Sequence, residues 1–265
     1  MTTLSRLGRL ELRLARTDAE LDAAQALRYR VFYEEKGAVA ARDVVAAARD
    51  IDRYDAYADH LIVVDLERAA CPEQAVVGCY RLLGEAAARA AGGFYSSAEF
   101  DLAGIVGAGR MLELGRSCID AAYRGGTVMQ LLWRGIADYV ELHDIGLMFG
   151  CASLPGTDPD AVALPLTYLH RRHLAPLSLR PQAVTERFVA CERLEGAGID
   201  EAAAIQALPP LIKGYLRLGG MIGDGAVVDA SFNTVDVCLV LPAKCVEARY
   251  QRHFAQTRVR MPVAA

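Results

Sequence analysis

Residues 111–143 constrain the fold of this chain more than any other stretch. An apolar, β-rich run, MLELGRSCI, leads into Tyr123-Arg124-Gly125-Gly126, and then Val128, Leu131, Leu132, Ile136 and Val140 recur at helical spacing. The order predicts a strand over 111–119, a glycine turn, and a helix running to about His143. A glycine turn that opens a helix aims free backbone N–H groups and the positive end of the helix dipole at an anion, so a phosphate fits there. Glu113 and Arg116 lie in the strand just before it, where charges are costly to bury without function. In a regular strand they point to opposite faces. A shared site therefore requires a bulge, which Gly115 permits.

The flanking patterns predict a mixed α/β (α+β) layout in a single domain over 1–265, with a core in 1–153 and an elaboration in 154–265 packed on it. Arg9–Ala15 alternates as a strand, and Thr17 and Asp18 cap a helix bearing Leu21, Ala24, Leu27 and Val31 that Gly37 ends. Leu61–Leu66 and Val76–Leu83 read as a hairpin. Residues Gly84–Gly109 carry Phe94, Tyr95 and Phe100 among many small residues, the pattern of a functional excursion. Leu147–Ser153 is a buried strand, and Asp158-Pro159 starts a helix that Pro165 kinks. Helices over Asp200–Ala207 and from Leu211 to Gly219, strands near Ala226–Ala230 and Thr234–Leu241, and a carboxy-terminal helix complete the reading.

Composition removes several classes of function. With 29 Lys and Arg against 33 Asp and Glu, the net charge of −4 offers no field for nucleic acid. Seven cysteines without a C-x-x-C pair suit neither a disulfide framework nor a zinc finger, and point to a reducing compartment. No apolar run approaches the roughly 20 residues that span a bilayer, and the first residues form no signal peptide, so a cytoplasmic location is expected. His170 and His173 have metal-ligand spacing but no third partner, so no metal is expected. Cys118 or Cys151 as a nucleophile is a rival reading, weakened by their apolar strands.

The strand, turn and helix resemble the central motif of the GNAT (Gcn5-related N-acyltransferase) superfamily, in which an amine attacks an acyl thioester held by its pantetheine arm. Thr127 and Met129 stand at the two glycine-type positions of that motif, which points away from coenzyme A and toward a donor with one phosphodiester, acyl carrier protein. The acyl-homoserine-lactone synthases share an Arg-x-x-x-Phe, an Asp-x-x-Asp, an Arg and a Glu-x-x-Arg in this order; here these are Arg28…Phe32, Asp52…Asp55, Arg81 and Glu113…Arg116. The segments 27–35, 92–102, 112–124, 131–140, 149–160 and 208–242 resemble the ornithine-lipid acyltransferases, which move a 3-hydroxyacyl chain from acyl carrier protein to the α-amine of ornithine.

The resemblance implies a GNAT-like mixed central sheet flanked by helices, with additional C-terminal helices and strands. It implies that Glu113 and Arg116 are catalytic, with Glu113 as general base, and that Arg28, Phe32, Asp52, Asp55, Arg81 and Ser117 bind substrate. Arg124, Gly125, Gly126 and Thr127 are then expected to hold the phosphopantetheine, with no cofactor beyond the donor's own arm. Arg116 or Arg81 suits the acceptor's carboxylate and Asp52 or Asp55 its distal ammonium, although Arg28, Asp52, Asp55 and Arg81 also suit a structural ion-pair network. Trp133, Phe149, Leu154 and Leu166 are candidate lining for the acyl chain. The expected partners are acyl carrier protein, an amino-acid acceptor and, transiently, the inner face of the membrane, with no nucleic acid. The carrier's dock is either His170–His173 with Arg180 and Arg187, or Arg124 with Arg134. Arg249, Arg252, Arg258 and Arg260 are placed to meet anionic lipid. A signal synthase acylating an S-adenosylmethionine-like amine and a non-enzymatic carrier-binding regulator remain the alternatives.

Overall fold

A computed structural model describes residues 4–39, 42–68, 70, 72–196 and 198–245. The strands are β1 (Ser5–Leu7), β2 (Leu10–Leu14), β3 (Asp59–Asp65), β4 (Val76–Gly84), β5 (Phe100–Asp101), β6 (Met111–Ile119), β7 (Leu147–Pro155), β8 (Gln182–Ala183), β9 (Met221–Asp229) and β10 (Thr234–Pro242). The helices are α1 (Asp18–Tyr29), α2 (Arg42–Ala47), α3 (Pro72–Ala75), α4 (Glu85–Ala90), α5 (Thr127–Leu142), α6 (Ala163–His173), α7 (Glu201–Ala207) and α8 (Pro210–Arg217). The strands join in the order β1-β2-β3-β4-β6-β7-β10-β9-β8-β5. β6 and β7 run parallel because α5 crosses between them, whereas β3 and β4 form the expected antiparallel hairpin.

The two faces of the sheet have different covers. α5 lies on one, burying Val128, Leu131, Leu132, Ile136 and Val140 against Leu12, Leu61, Val63 and Leu112 in one cluster with residues of α6, α7 and α8. Gly135 lets α5 approach closely: a Cβ there would stand 2.9 Å from Leu61 Cδ1. α1 lies on the other face over Ile62, Val64, Cys79 and Cys118, and the excursion from α4 to β5 covers Phe149, Cys238 and Val240 beside it. The small cavity described below opens where β6 and β7 part.

Local sequence explains most of the elements. Thr17 Oγ1 accepts from Glu20 N and so caps α1. α1 then widens into a π-helical turn, Arg30–Glu35, and Gly37 at φ +74° releases the chain. Four expectations are corrected. Asp158 accepts from Asp160 N in a local turn, so α6 begins only at Ala163; Pro165 then falls in its first turn, where a missing N–H costs nothing and no kink follows. Gly8 at φ +59° sits between β1 and β2, a hairpin where a single strand was expected. β9 starts at Met221, earlier than its apolar core suggests, because Gly223 and Gly225 dilute the pattern while backbone pairing continues. β5 and β8 are too short to show in a periodicity. The expected carboxy-terminal helix and its basic tail lie outside the described residues.

Candidate active site

The site is built on a bulge in β6. Its pairing with β4 runs from Arg81↔Gly115 to Cys79↔Cys118, so β6 holds one extra residue, and Arg116 takes φ +51°. This is the bulge that a shared site of Glu113 and Arg116 requires. Both side chains meet Tyr95 of the excursion: Tyr95 N donates to Glu113 Oε2 at 2.7 Å, and the Arg116 guanidinium lies 4.7 Å over the Tyr95 ring. Phe232 covers the other side of Arg116, also at 4.7 Å.

β6 and β7 pair only from Met111↔Leu147 to Glu113↔Phe149, yet run on to Ile119 and Pro155. A small cavity opens there, lined by Leu114, Phe149, Gly150, Cys151, Ala152 and Tyr215. Gly150 is required at its edge, since a Cβ would stand 2.3 Å from Leu114 O. Gly150→Ala is expected to cost about 1–3 kcal/mol through forced backbone displacement, read as a lowered Tm in thermal unfolding.

Glu113 is 3% exposed. Ser96 N and Ser96 Oγ donate to Oε1 at 2.7 and 2.5 Å, so the carboxylate ties the turn at Tyr95–Ala98 to the sheet. A carboxylate accepts roughly four hydrogen bonds, and three donors are in place, which leaves one acceptor position on Oε2. Burial pushes the Glu113 carboxyl up, and the donors from Ser96 and Tyr95 and the charge of Arg81 only partly oppose it.

Beside Glu113 lies a network of arginines and aspartates. Arg28, 1% exposed, donates to Asp50 Oδ2 at 2.7 Å, to Asp50 O at 2.5 Å, and to Asp55 Oδ1 and Oδ2 at 2.9 and 2.8 Å. Arg81 reaches Asp52 at 2.6 Å and Asp55 at 3.1 Å, and Arg116 reaches Asp50 at 2.9 Å and Asp52 at 3.0 Å. Gln25 and the Asp52 amide also donate to Asp55 Oδ2. Burial alone would push the Asp55 carboxyl up, but Arg28 and Arg81 outweigh it and hold it well below the ordinary carboxylate range. Asp55 therefore has no room for a substrate ammonium. Asp52 is the most open member, with its side chain 21% exposed. Phe32 meets Phe232 edge-on at 5.8 Å, beside Arg116, and Ser117 follows the bulge half-buried.

At the end of β6, Gly126 stands at φ +101° before α5, and no side chain caps the helix. Extra atoms at Gly125 or Gly126 would meet nothing within 4 Å, so the turn faces open space. Arg124 pairs with Glu35 and donates to Ile119 O at 3.1 Å; Thr127 and Arg134 are exposed. In the other basic patch Arg171 pairs with Glu192 and Arg172 with Glu201, Arg180 holds Ala175 O, and Arg187 holds Val228 O.

Of the proposed acyl lining, Leu154 and Leu166 are fully buried under the helices on the opposite face and are core residues. Trp133 is half-buried against Tyr215, at 4.9 Å. Phe149 is buried beneath Phe94, also at 4.9 Å. Burial, with Glu99 and Asp236 adding to it, pushes the Cys151 thiol well above its ordinary range, and Cys118 rises through burial and Cys79. Neither is poised as a thiolate nucleophile. Sequence reasoning missed Asp50, Ser96, Glu99 and Asp236. Asp236 carries the signal that revealed Glu113, an acid alone in an apolar strand; Asp50, Ser96 and Glu99 sit in loops with no such mark.

The description Acetyltransferase (GNAT) domain matches residues 27–134. The L-ornithine N(alpha)-acyltransferase of Agrobacterium fabrum is 44% identical over 252 residues, 94% of this chain and 86% of that protein. Its counterpart in Rhizobium meliloti is 44% identical over 254 residues, 95% of this chain and 86% of that protein. The crystal structure of the AHL synthase LasI covers 88% of this chain and 90% of its own at 16% identity, with a TM-score of 0.49.

Proposed function

The chain belongs to the L-ornithine N(alpha)-acyltransferase family, and we propose that it moves a 3-hydroxyacyl chain from acyl carrier protein to the α-amine of L-ornithine, giving a lyso-lipid. The observation that carries the reading is the bulge at Arg116, which brings a buried carboxylate and a guanidinium against one residue, Tyr95, beside the end of the β6–β7 pairing.

The amine of ornithine arrives mostly as an ammonium and must lose a proton before it can attack. Glu113, with its proton affinity raised by burial and one acceptor position open on Oε2, takes that proton directly or through a water. The neutral amine adds to the thioester carbonyl, the tetrahedral oxyanion meets backbone N–H groups at the bulge near Arg116–Cys118, and the C–S bond breaks as the nitrogen sheds its second proton, which the departing thiolate takes up to give a free thiol beside the amide. No covalent enzyme intermediate is needed. Arg116 is sandwiched between Tyr95 and Phe232, spends two nitrogens on Asp50 and Asp52, and turns its remaining edge to the acceptor's carboxylate. Arg28, Arg81, Asp50 and Asp55 hold this wall in place, and Phe32 and Ser117 flank it.

The phosphopantetheine arm is read as lying between the splayed ends of β6 and β7, its phosphate on the uncapped first turn of α5 at Gly125, Gly126 and Thr127. The exposed pair Arg124 and Arg134 suits an acidic carrier better than the His170–His173 region, because it stands beside the turn read as holding the carrier's phosphate. Gly125→Asp, which places a carboxylate where a phosphate belongs, is expected to raise KM for the acylated carrier at least tenfold without lowering Tm. Donor titration beside thermal unfolding checks it. Work at the inner face of the membrane follows from the product, whose single long chain partitions into a bilayer; among the described residues no helix is long and apolar enough to cross one.

The direct test is incubation of the purified protein with 3-hydroxyacyl carrier protein and L-ornithine, followed by mass spectrometry of the product. Nα-acylornithine with a free distal amine supports the reading. Transfer only to S-adenosylmethionine, or none at all, refutes it.

A further inference from the structure

A second group of acids lies beyond Glu113, on the far side of Ser96. Glu99 from the excursion, Cys151 from β7 and Asp236 from β10 bring one carboxylate oxygen or sulfur each to within 4.8 Å of one another. Glu99 and Asp236 are 4% and 5% exposed. The group connects to the proposed base through Ser96, whose hydroxyl lies 2.5 Å from Glu113 Oε1 and 3.4 Å from Cys151 Sγ; the thiol is in turn 3.3 Å from Glu99 Oε2.

The charges there do not balance. Arg187 is the one cation paired with the group among the described residues, and it reaches Glu99 only at 3.4 Å while holding Val228 O at 3.0 Å. The nearby Asp229 is occupied by the amides of Ser231 and Phe232. Asp236 Oδ1 is fully buried and, among the described residues, has no hydrogen-bond partner; the Ser153 and Thr234 hydroxyls steady the carboxylate only in part. Burial and the charge of Glu99 push the Asp236 carboxyl up to about 7, and a bound cation would relieve both by holding it ionised. Ser153, paired with Asp236 in the sheet, is exposed, so the group lies one residue from the surface.

We propose that Asp236 and Glu99 form the subsite for the distal ammonium of the amino-acid acceptor, and so select a basic amino acid over a neutral one of the same length. The inference rests on the reading that this cleft acylates an α-amine. An ammonium donates three hydrogen bonds, which two carboxylates and the Ser96–Cys151 edge can accept. The α and δ nitrogens of ornithine are five bonds of about 1.5 Å apart, a span of about 6 Å when extended. Glu113 and Glu99 are joined through Ser96 Oγ and Cys151 Sγ by contacts of 2.5, 3.4 and 3.3 Å, a chain that keeps the two acids within reach of such a span. The assignment also frees Asp55 from a duty that its arginines already prevent, and leaves Asp52 to hold Arg81 and Arg116.

The test compares L-ornithine with L-norvaline, which has the same carbon chain and no distal amine, using 3-hydroxyacyl carrier protein as donor. In the wild-type protein kcat/KM is expected to favour ornithine by at least tenfold, and Asp236→Asn or Glu99→Gln to reduce that ratio at least tenfold. KM for the donor and the circular dichroism spectrum should stay at wild-type values. A wild-type protein that turns over both amino acids alike overturns the proposal, as do folded variants that keep the full preference. Should Asp236→Asn fail to fold, Glu99→Gln and the wild-type ratio decide. A stoichiometric metal in the purified protein, whose chelation abolishes turnover, overturns it in favour of a metal site. If the wild-type protein acylates no amino acid at all, the functional reading itself fails; if it acylates ornithine and the variants keep the preference, only this subsite does.

Discussion

Arg28→Ala is expected to destabilise the folded chain by about 3–5 kcal/mol, the cost of removing one partner from a buried ion-pair network. At this chain length that corresponds to a fall in Tm of about 6–20 °C. Arg28 is 1% exposed and gives two hydrogen bonds to each of Asp50 and Asp55. Its loss leaves those carboxylates buried with only Arg116 and Arg81 to balance them. A double-mutant cycle with Asp55→Ala should show the two changes together costing less than their sum, because the second removes the charge that the first leaves unpaired. Thermal unfolding of the four proteins measures it. If Arg28→Ala instead melts like the wild type and loses only turnover, the arginine contacts substrate and the network is no scaffold.

Glu113→Gln is expected to lower kcat by about 10²–10⁴-fold, the usual contribution of a positioned general base. The glutamine retains one carbonyl oxygen for the two Ser96 donors and turns an N–H₂ group toward Tyr95 N, so one hydrogen bond is lost. That adds about 1–3 kcal/mol of destabilisation, small enough to leave a folded protein for kinetic work. Residual turnover in the variant should climb with pH, because a larger share of free ornithine then arrives already deprotonated. Steady-state rates on the folded variant, with circular dichroism beside them, check both parts.

The strand, turn and helix at 111–143 were legible because three independent signals agreed: β-rich composition, paired glycines and a helical stripe. The bulge was legible as well, since Glu113 and Arg116 can share a cleft only if the strand gains a residue, and Gly115-Arg116 accommodates it. The start of α6 was not legible, because Asp-Pro offers a cap that a local Asx turn can also use, and only packing selects Ala163 as the first helical residue. Arg28, Asp52, Asp55 and Arg81 were recognisable as a group, but a sequence cannot tell whether arginines are spent on protein or held for a ligand. Distances of 2.6–3.1 Å to carboxylates of the same chain answer that for Arg28 and Arg81. Asp236 stood in plain view as an acid among valines, with its partner Glu99 supplied by a loop more than 130 positions away.

The pH dependence of kcat, measured with 3-hydroxyacyl carrier protein and saturating L-ornithine for the wild type and for Glu113→Gln, tests the central claim most directly. Burial raises the Glu113 carboxyl above its ordinary 4.5, so the wild-type rate should rise with pH through a carboxylate limb displaced upward, as the base loses its proton and becomes able to accept one. In Glu113→Gln that limb should vanish, leaving the limb of the amine alone. Two superimposable profiles would contradict the account and assign the proton to another group.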